Sequence, residues 1–331
     1  MPANQTISGT SETLRRLPWQ AGTSPLMLAP LQGLTNRAMR ALLIDWVHPD
    51  VVFTEFMRVS NVSRKCLARN DLKEIVSTTG DVPLVVQLVG NGCKSLVTAA
   101  LNAEAAGARH INLNMGCPYG RMTTGATGGA MLQHPALLAE VIPALRQAIS
   151  GTFSIKLRAG YDDPEQIFSL LPLFAKAEVD FLVLHPRTVV QRYAGSADHS
   201  ITGRVVRKTS LPVIANGDIR TAAKGLRILE ETGAAGLMLG RGAIADPLLF
   251  ERLRNRDTKE PTEIETADML RRYLNELLAR YSKLFCGERQ ILDKTKNVIA
   301  FIDNQNFEKQ ISKMKRAKSI VALMTLIETI K

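Results

Sequence analysis

The chain has 331 residues, 45% of them hydrophobic and 22% charged; this is an ordinary globular composition that excludes disordered and fibrous classes. No run approaches the roughly 18 apolar residues of a membrane span, and a chain this long can bury a sizeable core. Lys and Arg outnumber Asp and Glu 42 to 31, for a net charge of +11, which points to a polyanionic partner.

Residues 1–24 carry Arg15 and Arg16 with no apolar run behind them, so they read as a loosely ordered tail and not a secretory signal. Short aliphatic runs then recur: LMLA at 26–29, VVFT at 51–54, LVVQL at 84–88 and HINLN at 110–114. Four more follow: FSIKL at 153–157, FLVL at 181–184, PVIA at 212–215 and GLML at 236–239. They are apolar almost throughout, as parallel strands buried on both faces are. Helical stretches separate them, for example 95–106 and 135–149, the latter opening on Pro135 and closing before Gly151, the usual helix punctuation. Strands and helices alternating over 25–257 predict a TIM barrel, (β/α)8. A doubly wound sheet would want G-x-G-x-x-G after its first strand, where this chain has Pro30-Leu31-Gln32-Gly33.

From 258 to 331 the pattern turns all-helical, with Lys259-Glu260-Pro261 as a linker and helical periodicity over 266–285, 291–302 and 307 to the end. In a single last helix, Ile311, Met314, Ala317, Val321, Met324 and Ile327 are expected to form one apolar face, with Lys309, Lys313 and Arg316 on another stripe. Residues 280–318 hold ten Lys/Arg against four Asp/Glu, and charge so concentrated predicts contact with nucleic acid. Arg280, Lys294, Lys296, Lys309, Lys313 and Arg316 are the candidate RNA contacts. Deleting the chain from about 260 onward is expected to leave a folded barrel.

In such a barrel the chemistry sits where strands end, and polar residues fall there one after another. Glu55 closes the second strand, Gln87 the third, Asn114 with Cys117 the fourth, Lys156 and Arg158 the fifth, and His185 and Arg187 the sixth. Asn216-Gly217-Asp218 and Gly240-Arg241-Gly242 follow the last two, offering glycine N–H groups and a cation to a phosphate. A central lysine suits the charge of a reduced flavin, and Gln87 can pair with an amide edge; FMN fits all three features.

The four cysteines, Cys66, Cys93, Cys117 and Cys286, show no CxxC spacing, so reduced thiols in a cytosol and no metal site are expected. Cys117 sits between Gly116 and Pro118 on a long glycine-containing loop. A metal role lacks partners at ligand spacing, and a nucleophile wants a base closer than His185. A general acid needs only a held proton, and an ordinary thiol, with a pKa of about 8.5, keeps most of its proton at neutral pH.

Several segments resemble the bacterial tRNA-dihydrouridine synthases. They are Leu28-Ala29-Pro30-Leu31-Gln32-Gly33-Leu34-Thr35, Gln87-Leu88-Val89-Gly90, Asn112-Leu113-Asn114-Met115-Gly116-Cys117-Pro118, Lys156-Leu157-Arg158, Ile214 to Asp218 and Gly240-Arg241-Gly242-Ala243. With the basic tail, the resemblance runs from about residue 25 to the end. It implies an FMN-binding barrel followed by a helical RNA-binding domain, acting on tRNA with NADPH as electron donor. Ala29, Pro30, Leu31, Gln87, Lys156, His185, Asn216, Gly217, Asp218, Gly240 and Arg241 then correspond to the FMN shell, Asn114 and Arg187 to contacts with the target uracil, and Cys117 to the acid. The chain departs from the family at Gln32, Pro186 and His199, where Glu, a small residue and Trp are usual, and in its longer N-terminal stretch. The expectation is a monomeric, cytoplasmic enzyme without membrane contact. Two rivals share parts of the pattern: a flavoenzyme of dihydroorotate dehydrogenase type acting on a free pyrimidine, and an RNA-binding barrel without catalysis.

Overall fold

A computed structural model describes residues 17–61, 66–76, 80–118 and 125–331. Nine strands appear in it: β1 Leu26–Leu28, β2 Val51–Phe53, β3 Met57–Arg58, β4 Leu84–Val89, β5 His110–Met115, β6 Thr152–Gly160, β7 Phe181–Thr188, β8 Val213–Asn216 and β9 Gly236–Leu239. All pairings are parallel, and β1 pairs with both β2 and β9 while β2 also pairs with β4. The ring therefore closes over eight strands, with the two-residue β3 added beside the end of β4. This is the expected TIM barrel.

Helices α1 Arg37–Val47, α2 Arg69–Ile75, α3 Cys93–Ala105, α4 Pro135–Ala148, α5 Gln166–Lys176, α6 His199–Lys208 and α7 Ala222–Thr232 cover the outside. Two short helices, α8 Arg241–Ala245 and α9 Leu249–Arg254, follow β9. Local chemistry sets the ends: Asn36 caps α1 by accepting from the N–H groups of Ala38 and Met39, and Pro135 opens α4, where its missing N–H costs nothing.

Inside the ring the lower layers are largely apolar, with Met27, Val51, Phe53, Val85, Phe181, Val183, Ile214 and Met238 all excluded from solvent. Residues 17–24 correct the expectation of a loose tail over its described part. Leu17 and Trp19 pack against these lumen residues, and the Trp19 ring meets Phe181 edge-on at 4.9 Å. Burying an indole there is worth more than leaving it in water. Residues 1–16 of the expected tail lie outside the described residues.

The tail holds α10 Glu263–Leu284, α11 Glu288–Ile299, α12 Glu308–Arg316 and α13 Ile320–Ile327. A capping box between Thr262 and Glu265 starts α10, just after the expected linker. Two expectations fail here. The last helix is broken, because Ala317 turns extended and Ser319 caps a new helix through the Ala322 N–H; Val321 and Met324 are consequently 73% and 49% exposed, off the buried face that keeps Ile311, Met314 and Ile327. The tail is also no separate unit: Tyr273, Leu274, Leu277 and Tyr281 of α10 share one core with Met39, Leu42, Leu43 and Phe250 of the barrel. Deletion from 260 would strip that face bare, so a folded barrel is no longer the expected product. Among the described residues no helix is long and apolar enough to cross a membrane.

Candidate active site

Side chains alternate along a strand, so β6 and β7 each send every second residue to the barrel interior. Both strands run further than their apolar cores predicted. Arg158 of β6, and His185 and Arg187 of β7, lie within strands and not after them, while Lys156 lies within β6 as expected. Lys156 is in register with Val183 of the lumen and Arg158 with His185 one step higher, toward the C-terminal mouth. A cavity of about 470 Å3 opens there, inside the range of roughly 300–1,000 Å3 typical of small-molecule sites. A wider hollow of about 990 Å3 at the opposite end, between residues 17–26 and Arg254, also carries charged groups, but its His48 is paired with Asp81 and its Arg254 with Asp50.

The β1–α1 turn supplies one wall through Ala29, Pro30 and Leu31. Glu55 holds this turn by accepting the Gly33 N–H at 2.8 Å. Burial raises the Glu55 carboxyl pKa, against the Gly33 bond and the nearby Lys294 charge.

Asn114 and Cys117 form the opposite wall. The Asn114 Oδ1 accepts the N–H groups of both Gly116 and Cys117 at 3.0 Å, which turns the chain sharply after β5. Arg158 closes on the same turn from β6, its Nε donating to the Gly116 carbonyl at 2.9 Å. The Cys117 carbonyl accepts the Gly129 N–H, and a Cβ on Gly129 would stand 2.9 Å from that oxygen and 2.7 Å from Val189, so only glycine lets the loop return here. Residues 119–124 of the loop lie outside the described residues.

The floor is electropositive. Lys156 donates to Asn216 Oδ1 at 2.8 Å, and Asn216 is fixed in turn by the Met238 carbonyl. Burial, with the Arg158 charge beside it, lowers the Lys156 pKa to about 7. His185 is held neutral, its pKa driven far below the usual range by burial and then by the charges of Lys156, Arg158, Arg187 and Arg241. Arg187 lies 3.1 Å from its Nε2; since Arg can only donate, the imidazole proton belongs on Nδ1.

Gly217, Asp218, Gly240 and Arg241 line the remaining side. Gly217 has φ 122°, and a Cβ there would meet the His185 ring at 2.8 Å. Asp218 accepts from Arg187 at 2.6 and 3.1 Å, from Arg241 at 3.1 Å and from the Ala197 N–H at 2.8 Å. Burial alone would raise its carboxyl, yet the Arg187 bond and the rest of this set hold it below the usual range. His199, at the position that departs from the family pattern, faces the Gly217 carbonyl at 2.9 Å.

Twelve of the fourteen expected catalytic, substrate and cofactor residues thus meet at one cavity. Gln87 and Arg187 do not line it. Gln87 is fully buried behind Asn114, with its amide engaged by Asn112 and Asn114. Arg187 is buried beneath the floor and spends its guanidinium on Asp218, His185 and the carbonyls of Ala194 and Gly195. Phe56, Tyr193 and Phe301 line the cavity without having been expected. Tyr193 lies under the guanidinium groups of Arg241 at 4.5 Å and Arg158 at 5.4 Å. Phe301 comes from the tail, a placement no local motif announces.

The expected RNA contacts divide as well. Lys309, Lys313 and Arg316 stand exposed on α12, joined by Lys315 and Lys318. Lys294 and Lys296 are half-buried, and Lys294 reaches over the β1–α1 turn. Arg280 departs from expectation: it is paired with Asp45 at 2.8 Å and Glu276 at 2.7 Å, so its charge is already answered within the chain.

The residues suit a planar anionic cofactor. Lys156, Arg187 and Arg241 share this region with one carboxylate, Asp218, so the net charge there is cationic, and Ala29, Pro30, Leu31 and Met238 provide apolar surface beside it. Residues 27–331 match the profile of the dihydrouridine synthase family. The tRNA-dihydrouridine(16) synthase of Vibrio cholerae is 33% identical over 258 residues, 75% of this chain and 79% of that protein. That of Haemophilus influenzae is 34% identical, over 76% of this chain and 83% of that protein, and tRNA-dihydrouridine synthase B of Pseudomonas aeruginosa is 31% identical, over 69% and 68%. Among solved structures, morphinone reductase in complex with tetrahydroNAD has the same fold, with TM-score 0.51, 15% identity and coverage of 73% of this chain and 90% of that one.

Proposed function

The chain belongs to the dihydrouridine synthase family, and from that membership we propose that it reduces the C5=C6 bond of specific uridines in tRNA to 5,6-dihydrouridine, with FMN at the barrel mouth and NADPH as the source of electrons. The observation that carries this reading is the turn from Asn114 to Cys117, which sets a thiol over a cavity floored by Lys156 and flanked by Arg241.

Lys156 would answer the charge of the cofactor ring, and Arg241 with the Gly217 and Gly240 backbone would hold the phosphate. What the bound flavin supplies is a hydride for C6 of the uracil. Conjugation of C5=C6 with the C4 carbonyl directs it there and leaves C5 in need of a proton. Cys117 holds that proton at Sγ and delivers it to C5 from the opposite face. The thiolate left behind feels the neighbouring Lys156 charge. Neutral His185 is no rival acid, because its Nε2 is turned to Arg187. Asn114 meets the uracil edge, and Arg187 serves it from behind, by fixing Asp218 and His185.

The target base must leave its stack, which costs less in a loop than in a duplex, so a uridine in a structured single-stranded loop fits best. Phosphate contacts come from Lys309, Lys313 and Arg316, joined by Lys296, with Lys294 over the β1–α1 turn at the mouth. One chain carries both cavity and basic helix, so a monomer suffices, and four free cysteines suit the reducing cytosol.

The test is direct. The purified protein should be yellow and release FMN on denaturation. It should also reduce tRNA lacking dihydrouridine but neither free uridine nor orotate, and mapping in a deletion strain should show which positions lose the modification. A colourless protein, or one turning over a free pyrimidine as fast as tRNA, would defeat the proposal.

A further inference from the structure

Three strands carry a row of buried polar side chains that the chemistry above does not use. Register places Gln87 of β4 beside Asn112 of β5, and Asn112 beside Ser154 of β6, one layer below Asn114 and Lys156. All three are shut off from solvent. They are joined in one line. Asn114 Nδ2 donates to Gln87 Oε1, Gln87 Nε2 to Asn112 Oδ1, and Asn112 Nδ2 to Ser154 Oγ, each at 2.8 Å; the Ser154 hydroxyl ends on the Ile111 carbonyl at 3.4 Å.

Amides can ordinarily be turned end for end. Here both ends of the line are backbone. The Gly116 and Cys117 N–H groups at the top can only donate, and the Ile111 carbonyl at the bottom can only accept. Every side chain between them is left with one orientation. Turning one amide would set N–H against N–H in a region of low dielectric, where unmade bonds are expensive.

We propose that Asn112 and Ser154 are positioning residues for proton delivery: by fixing the direction of the Gln87 and Asn114 amides, they keep Asn114 Oδ1 on the turn that carries Cys117. The inference rests on the reading of Cys117 as the proton donor. Neither residue touches the cavity, so both act through Asn114.

The test uses the flavin-loaded full chain and follows the flavin absorbance through two separate half-reactions: reduction by NADPH without RNA, and anaerobic reoxidation by tRNA lacking dihydrouridine. Asn112→Leu should slow reoxidation by about 10-fold or more, within the range of general-acid effects, and raise its solvent deuterium isotope effect. Reduction by NADPH should stay within about twofold, because it uses no proton from Cys117. Asn112→Asp still accepts from Gln87 and should restore reoxidation. Ser154→Ala, a smaller change, should slow reoxidation in the same direction and decides the matter if Asn112→Leu does not fold. Equal loss in both half-reactions, an unchanged isotope effect, or no rescue by Asn112→Asp would overturn the inference. Cys117→Ala in the same assay separates the two levels. If it leaves reoxidation fast, the donor reading itself is wrong; if it slows reoxidation while the Asn112 and Ser154 variants do not, only this inference falls.

Discussion

The Lys156 ammonium lies 2.8 Å from Asn216 Oδ1, in a wall that lowers its pKa to about 7. An anion placed beside it favours the charged lysine. Above about pH 7 the free site has lost that proton, so binding must take one up. FMN affinity should fall by up to about tenfold per pH unit above 7 and level off below it. Calorimetry in buffers of different ionisation heat should show the proton uptake, and Lys156→Met should bind weakly with this pH dependence gone. In the flavin-free chain the unfolded state binds the proton better between about 7 and 10.5, so this site's contribution to stability should rise with pH across that window.

Cys117→Ala should leave flavin binding and reduction by NADPH near normal while slowing turnover with tRNA by about 10²–10⁴-fold. Stopped-flow absorbance distinguishes the steps. Near-normal reoxidation by tRNA would remove Cys117 from the proton path.

Asp218→Ala should destabilise the chain, because it leaves the buried Arg187 guanidinium without its carboxylate. Breaking one partner of a buried pair costs about 3–5 kcal/mol, read as a loss in denaturant-unfolding free energy. Arg241→Ala breaks only the outer arm of the same cluster; it should weaken flavin retention with little change in stability.

Charge reversal at Lys309, Lys313 and Arg316 should weaken tRNA binding and flatten its salt dependence, the log–log slope falling by about 0.7–0.9 for each phosphate no longer neutralised. Reversal of Lys73, Lys94 and Lys224 on the barrel is the control and should do much less. Deletion from residue 260 is a poor substitute, since it uncovers the face that α10 buries; insoluble protein is the expected result.

The barrel was legible because β4, β8 and β9 are short apolar runs between clear helices, and their period leaves little choice of element. The ring of polar residues at its mouth was legible for the same reason, each following such a run. Less of the geometry was visible. His185 and Arg187 read as a loop after FLVL, yet β7 continues to Thr188, because in the upper barrel the inward position can be polar without ending the strand. Strand-end position and the family resemblance point Gln87 and Arg187 at the cavity, but Asn114 and Asp218, distant in sequence, decide where their hydrogen bonds go. The break at Ala317 has no Pro or Gly to mark it, only a Ser319 cap that becomes meaningful once Leu323 and Ile327 have a core to face. Phe301 at the cavity depends on how the tail packs, and no local pattern encodes that.

The apolar plug of Phe53, Val85, Phe181 and Met238, backed by Trp19, closes the barrel from below, so among the described residues the cavity opens toward the C-terminal mouth. Reductant and RNA must take turns at it, each leaving before the other enters. Double-reciprocal plots against one reactant, at several fixed levels of the other, should therefore run parallel. A surplus of tRNA should slow the enzyme by standing in the way of the next electron pair.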